Sequence, residues 1–229
     1  MTTVSSKYSE EQIAAFRRRF AEVSCAQLAD SAAEFTNPLA LPLVARNGRP
    51  RVCGPVFPVT TSDDMLPCLQ ALAAAPAGWV IFIHNEISPS EGLAGDIYVA
   101  SAEVQCLGGI VVNGAVRDLE ALADIPVPVF STEVNFVSAR TTSVLAEAVP
   151  DTVDVAGCRL TPGDWIFGDE DGFLLLPESH VSAVLASGTV LRVREDRLRR
   201  TMREQQRTLA DLTGLDEFVA GSGPLKFNP

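Results

Sequence analysis

Asp96 and the adjacent pair Arg117-Asp118 stand twenty residues apart and put two carboxylates and one guanidinium at the ends of segments that can converge. A carboxylate oxygen is a hard donor of the kind Mg²⁺ or Mn²⁺ prefers, so Asp118 is a candidate ligand for a divalent cation. A guanidinium presents a planar fork of donors, so Arg117 is a candidate grip for a substrate carboxylate. Gly95 precedes the first acid and Ile97-Tyr98 follow it.

The chain between these residues must go out and come back. Ile97, Ala100, Ser101, Val104 and Leu107 have helical spacing, Gly108-Gly109 closes that run, and Ile110-Val111-Val112 begins a buried strand. A helix of roughly a dozen residues spans about 18 Å, so a strand returning beside it carries Arg117-Asp118 back towards Asp96. Upstream, Ile13, Phe16, Phe20 and Val23 predict an amphipathic opening helix, and Ser24 with Gln27 forms a capping box for a second short one. Ser62, Asp63 and Asp64 place acceptors at the start of a helix over Met65, Leu69 and Leu72, with Pro67 tolerated in its first turn. The run WVIFIH after Gly78 suits a strand covered on both faces, and strand alternates with helix, so parallel α/β organisation is expected. Residues 127–176 read as further short strands with Gly and Pro between them. A helix from Ser179 becomes strongly basic over Arg192–Arg207 and ends near Gly214, and the tail GSGPLKFNP has no pattern of its own.

Composition narrows the function classes. The 229 residues are 47% hydrophobic and 21% charged, enough to bury one full core. A net charge of -11 argues against a nucleic-acid surface, which needs a basic footprint. No apolar stretch nears the roughly 18 residues of a membrane span and Met1–Glu10 is polar, so the reading is a cytoplasmic protein without a membrane segment. Five cysteines with no CxxC fit reduced thiols in the core better than disulfides or zinc. Neither GxGxxG nor GxxxxGK[ST] occurs, so a nucleotide cofactor has no support.

The acid after Gly95, the twenty-residue interval and the VVNGAVRD segment resemble the RraA-like family, which includes class II pyruvate aldolases acting on 4-hydroxy-4-methyl-2-oxoglutarate. The likeness runs from about Ser24 to about Leu215, through SCAQLADS, GPVFPVTTSDDML, GLAGDIYVASA and PGDWIFGDEDGFLLLP. It implies an α/β fold of the swivelling β/β/α kind, divided as an N-terminal helical extension (1–23), a catalytic domain (24–190) and a C-terminal helix and tail (191–229), assembled as a homotrimer or homohexamer. It also implies that Asp118 holds Mg²⁺ or Mn²⁺, that Arg117 contacts a 2-keto acid, and that the amides of Ile97 and Tyr98 hold its carboxylate. The reaction so implied cleaves a 4-hydroxy-2-oxo acid to pyruvate through a metal-stabilised enolate, with a water near Asp96 as base and oxaloacetate decarboxylation as a side activity. The resemblance also admits a non-catalytic, protein-binding regulator of ribonuclease E. Tyr98 replaces an aliphatic residue common in the relatives, and Asn113 stands where an aspartate is frequent.

Several of these residues have plainer readings. Arg117-Asp118 could be a surface ion pair with Asp118 capping the next helical turn, and Asp96 a simple first-turn acid. Asp169–Gly172 reads as a hairpin turn rather than a calcium loop, and His84 as structural.

Overall fold

The computed structural model describes residues 6–142 and 149–226. Its strands are β1 (Asn37–Pro38), β2 (Val44–Ala45), β3 (Val52–Thr61), β4 (Val80–Asn85), β5 (Gly92–Ala94), β6 (Gly109–Val116), β7 (Val129–Val134), β8 (Val153–Val155), β9 (Cys158–Leu160), β10 (Trp165–Gly168) and β11 (Phe173–Leu176). Its helices are α1 (Glu10–Phe20), α2 (Cys25–Ser31), α3 (Met65–Ala74), α4 (Asp96–Val104), α5 (Leu119–Leu122), α6 (Val181–Gln205), α7 (Leu209–Thr213) and α8 (Leu215–Val219). Nine strands form one sheet in the order β1-β11-β10-β3-β4-β6-β7-β2, with β5 added beside β6. The pairs β3-β4, β4-β6, β6-β7 and β5-β6 are parallel, whereas β10, β11, β1 and β2 join antiparallel. The parallel sheet expected from the sequence is therefore the middle of a mixed one.

Alternation along the strands assigns the two faces. Cys53, Phe57, Val59, Ile81, Ile83, Ile110 and Val112 face the helices, with α3, α4 and α5 over the parallel part and α1, α2 and α6 over β10 and β11. Val56, Val80, Phe82, Val111 and Ile166 face the other way, onto Leu39, Val153 and Leu160 of the 38–45 segment and the β8-β9 hairpin. Both faces are covered, which is why these strands read as continuous apolar runs. The result is a mixed α/β domain with helices at both ends, α1 to α6 packing on one side of the sheet.

Local chemistry sets most boundaries. Ser9 and Ser24 make reciprocal capping boxes with Gln12 and Gln27, and the Asp64 carboxylate accepts from the Leu66 amide at 2.9 Å to start α3. Asp169–Gly172 is the turn of the β10-β11 hairpin, and its Asp169 also accepts from the Cys25 amide at 2.7 Å, tying the turn to α2.

Three expectations are corrected. α4 ends at Val104 rather than near Gly108, and its buried face is Tyr98, Val99 and Ala102, while Ile97 and Val104 are 79% and 85% exposed. Apolar residues lie on both sides of this short helix, so periodicity alone did not choose the face. The C-terminal helix breaks at Gln206, which adopts φ 50°, and α7 and α8 follow; the tail then returns, with the Lys226 amide donating to the Thr213 carbonyl at 2.8 Å. Its last three residues lie outside the described ones. Cys25, Cys53 and Cys68 are buried free thiols, with burial and the Asp64 charge pushing Cys68 up to about 12, but Cys106 is exposed and Cys158 half-buried. Among the described residues no helix is long and apolar enough to cross a membrane.

Candidate active site

Gly95 is where β5 hands over to α4, and Arg117-Asp118 is where β6 ends. Because β5 and β6 are parallel neighbours, with Ala94 paired to Val116, both handovers fall at the same carboxyl edge of the sheet. The Arg117 amide donates to the Ala94 carbonyl at 3.0 Å and locks the two ends together. Ligands of open α/β sheets bind at this edge.

The side chains then meet around a cavity of about 340 Å³, lined by Gly95, Asp96, Ile97, Tyr98, Arg117 and Asp118 together with Met65, Leu69 and Leu72 of α3, Gly92 and Leu93 of β5, Ser101 and Ser138. Every residue singled out for the site thus reaches one pocket. Arg117 Nε donates to Asp118 Oδ2 at 3.0 Å, and the two side chains are 36% and 37% exposed. Asp118 adopts φ 61°, ψ 39°, a left-handed conformation that Asp tolerates better than most residues. It occupies the N-cap position of α5, yet its side chain caps no amide. The helix-cap alternative therefore fails, while the ion pair is real and sits in a pocket wall.

Gly95 is the tightest point. An added Cβ would fall well inside van der Waals contact of Asp118 Oδ2 and lie 3.1 Å from Arg117 Cγ and 3.3 Å from Arg117 Nε. Its φ of −130° is extended backbone open to any residue, so glycine is needed here for space and not for conformation.

The α4 N-terminus is only partly available to an anion. Asp96 Oδ1 accepts from the Ile97 amide at 2.8 Å, so the acid caps its own next residue and competes for a donor assigned to the substrate. The first intrahelical bond runs from Val99 to the Gly95 carbonyl at 3.0 Å, which leaves the Tyr98 amide ahead of the helical ladder and free of it. Tyr98 lines the pocket, but its hydroxyl turns inward to donate to the Cys68 carbonyl at 2.8 Å, and burial pushes the phenol well above its ordinary value.

Sequence reasoning missed the α3 wall and Ser138, because these come from distant segments of the chain. It also missed the clamp behind the pocket. Asn85, at the end of β4, donates to Asp63 Oδ1 at 2.7 Å, the Ile87 carbonyl at 3.0 Å and Ser90 Oγ at 2.8 Å, and so holds the loop that leads into Gly92. A polar Asn closing the apolar run WVIFIH was the available signal. His84 lies outside the pocket, its Nδ1 2.9 Å from Asn113 Nδ2 on the neighbouring strand, and burial lowers its pKa. The structural reading of His84 fits that placement.

The fold is a mixed α/β domain that carries an arginine-aspartate pair and a helix N-terminus at the carboxyl edge of its parallel strands. A family model described as RraA-like, Aldolase/RraA, matches residues 25–175, and the chain belongs to that family. It is 33% identical over 145 residues to a 4-hydroxy-4-methyl-2-oxoglutarate aldolase of Thermus thermophilus, a match covering 61% of this chain and 85% of the relative. Among solved structures, the RNA-processing inhibitor RraA from Thermus thermophilus superposes with a TM-score of 0.62 at 28% identity, over 67% of this chain and 92% of the other. Streptomyces coelicolor RraAS2, titled an unusual member of the RNase ES inhibitor RraA family, gives 0.70 at 23% identity over 86% and 99%, which supports the fold.

Proposed function

We propose that this chain is a divalent-metal-dependent lyase that cleaves a 4-hydroxy-2-oxo acid to pyruvate and a second carbonyl compound, and that the same site decarboxylates oxaloacetate. The observation that carries the reading is the convergence of Arg117, Asp118 and the first turn of α4 on one cavity.

Asp118 fits a hard cation as a single protein ligand. Its Oδ2 accepts from Arg117, its Oδ1 makes no hydrogen bond among the described residues, and no group of three or more His, Cys, Asp or Glu is gathered there or elsewhere among them. Mg²⁺ binds comfortably through one or two carboxylates and keeps the remaining positions for water and substrate. When bound, such an ion supplies positive charge beside the keto oxygen.

The chain's own residues do the rest. Arg117 offers its remaining guanidinium donors to the substrate carboxylate and orients C2 and C3 against the pocket. The Tyr98 amide donates to the same anion. A water held at Asp96 takes the proton of the C4 hydroxyl, the C4 carbonyl forms, and the C3–C4 bond breaks. Its electron pair passes into C2–C3, leaving the pyruvate enolate with its charge next to Arg117, and protonation at C3 releases pyruvate. For oxaloacetate the same bond breaks with loss of CO₂ and needs no base. A homotrimer or homohexamer belongs to this reading and is checked by light scattering.

The test is pyruvate formation from 4-hydroxy-4-methyl-2-oxoglutarate and oxaloacetate with Mg²⁺ or Mn²⁺, after chelator, and after metal is restored. Turnover that follows the metal is expected; none across a wider panel of keto acids overturns the reading. A protein-binding regulator of ribonuclease E type is the second reading, favoured by the 28% identity to a structure titled as an RNA-processing inhibitor. Inhibition of such an endonuclease by a chain without turnover decides for it.

A further inference from the structure

The pocket is chemically lopsided. Its charged side holds one guanidinium, Arg117, against two carboxylates, Asp96 and Asp118, and the guanidinium already donates Nε to one of them. The apolar part of the lining is Met65, Leu69 and Leu72 of α3, with Leu93 and Tyr98. Tyr98 adds no polar tip to that part, since its hydroxyl is committed to the Cys68 carbonyl. Residues 143–148, which lie outside the described structure, contain no Lys or Arg. Arg140 is two positions past Ser138 but is exposed and forms no part of the lining.

The consequence concerns the far end of the substrate. The 1-carboxylate takes the free donors of Arg117. A second carboxylate, as in 4-hydroxy-4-methyl-2-oxoglutarate, finds no further cationic side chain among the described lining residues and meets an acid, the neutral hydroxyls of Ser101 and Ser138, or an apolar surface. Moving a charge onto such a surface without a partner is strongly unfavourable, whereas an alkyl group there gains from burial.

We infer that the substrate is a monocarboxylic 4-hydroxy-2-oxo acid whose C4 carries an uncharged aliphatic tail, and that the tail lies along Met65, Leu69 and Leu72. This rests on the aldolase reading of the same site and names the substrate class within it. Cleavage of the C3–C4 bond then gives pyruvate and an aliphatic aldehyde, with the hydroxyl proton passing to the base and a proton returning to C3.

The intact chain with Mn²⁺ is assayed for pyruvate release from 4-hydroxy-2-oxopentanoate, 4-hydroxy-2-oxoheptanoate and 4-hydroxy-4-methyl-2-oxoglutarate. Each added methylene raises kcat/KM about fourfold, from burial of one CH₂, and the best monocarboxylate exceeds the dicarboxylate at least about tenfold. In parallel, 2-oxohexanoate raises the melting temperature more than 2-oxoglutarate does at equal concentration. Leu69 is half exposed on α3, so Leu69→Lys places a cation on the wall without opening the core and raises the dicarboxylate-to-monocarboxylate ratio of kcat/KM. Faster cleavage of the dicarboxylate by the wild type overturns the inference and leaves the aldolase reading standing. An unchanged ratio in Leu69→Lys overturns the placement of the tail. A dicarboxylate rate that falls in Arg140→Ala identifies a second carboxylate site and overturns the inference. Turnover of none of the three acids overturns the aldolase reading and the inference with it.

Discussion

Gly95→Ala tests the site with a single methyl group. The new Cβ would overlap Asp118 Oδ2 and sit 3.1 Å from Arg117 Cγ, tighter than ordinary van der Waals contact. Something must yield, and the free end of a side chain that is 37% exposed yields more cheaply than two hydrogen-bonded strand ends. The Asp118 carboxylate must retreat on the order of 1 Å, a displacement that costs about 10²-fold in rate when it falls on a group aligned with the reacting atoms. Folding should suffer little. The backbone at Gly95 is extended, so alanine adds no conformational strain, and the displaced side chain turns towards water, leaving a change of about 1 kcal/mol or less. The expected result is a fall in kcat/KM for pyruvate release of about 10²-fold with a melting temperature close to wild type. Wild-type kcat/KM in Gly95→Ala would refute the assignment of Asp118 to the chemistry. A variant that unfolds would instead show that the Gly95 contact is a packing constraint of the sheet edge.

Asp118→Ala removes the proposed ligand and is expected to abolish metal-dependent turnover; full activity sinks the assignment. Arg117→Lys keeps the charge but loses the fork, and kcat/KM should drop by about 10² to 10³. Burial lowers the His84 pKa, so below about pH 6.5 the unfolded chain binds a proton that the folded imidazole resists, and this group lowers stability as pH falls through that window. His84→Gln should flatten the slope of the urea midpoint between pH 7 and 5 relative to wild type, and identical slopes would refute it. Leu28 is fully buried in the cluster of α1, α2 and α6, which contains no residue of the candidate site, so Leu28→Ala should cost about 2–5 kcal/mol in denaturant melts while the folded protein keeps the KM of the proposed reaction.

Much of this molecule is written locally. The capping boxes at Ser9 and Ser24, the Asp64 cap, the buried run of β4 and the hairpin at Asp169–Gly172 each follow from a few neighbouring residues, because caps and turns are decided by short-range hydrogen bonds. The pairing of Asp96 with Arg117-Asp118 was also legible, since one helix and one returning strand suffice to bring them to the same edge.

Other features needed the whole fold. Which side of α4 is buried was settled by the sheet beneath it and by the Tyr98 bond to Cys68, and the helical period could not make that choice. The capture of the Ile97 amide by Asp96 is a matter of side-chain rotamer, invisible in spacing. The apolar wall of Met65, Leu69 and Leu72 arrives from some thirty residues upstream because β3, β4 and β6 stack in parallel and swing α3 over the mouth. Sequence alone singled out the candidate site residues and the elements that carry them, since those depend on contacts a few residues long. Tertiary structure decided what surrounds those groups, because a pocket is built from surfaces that only packing brings together.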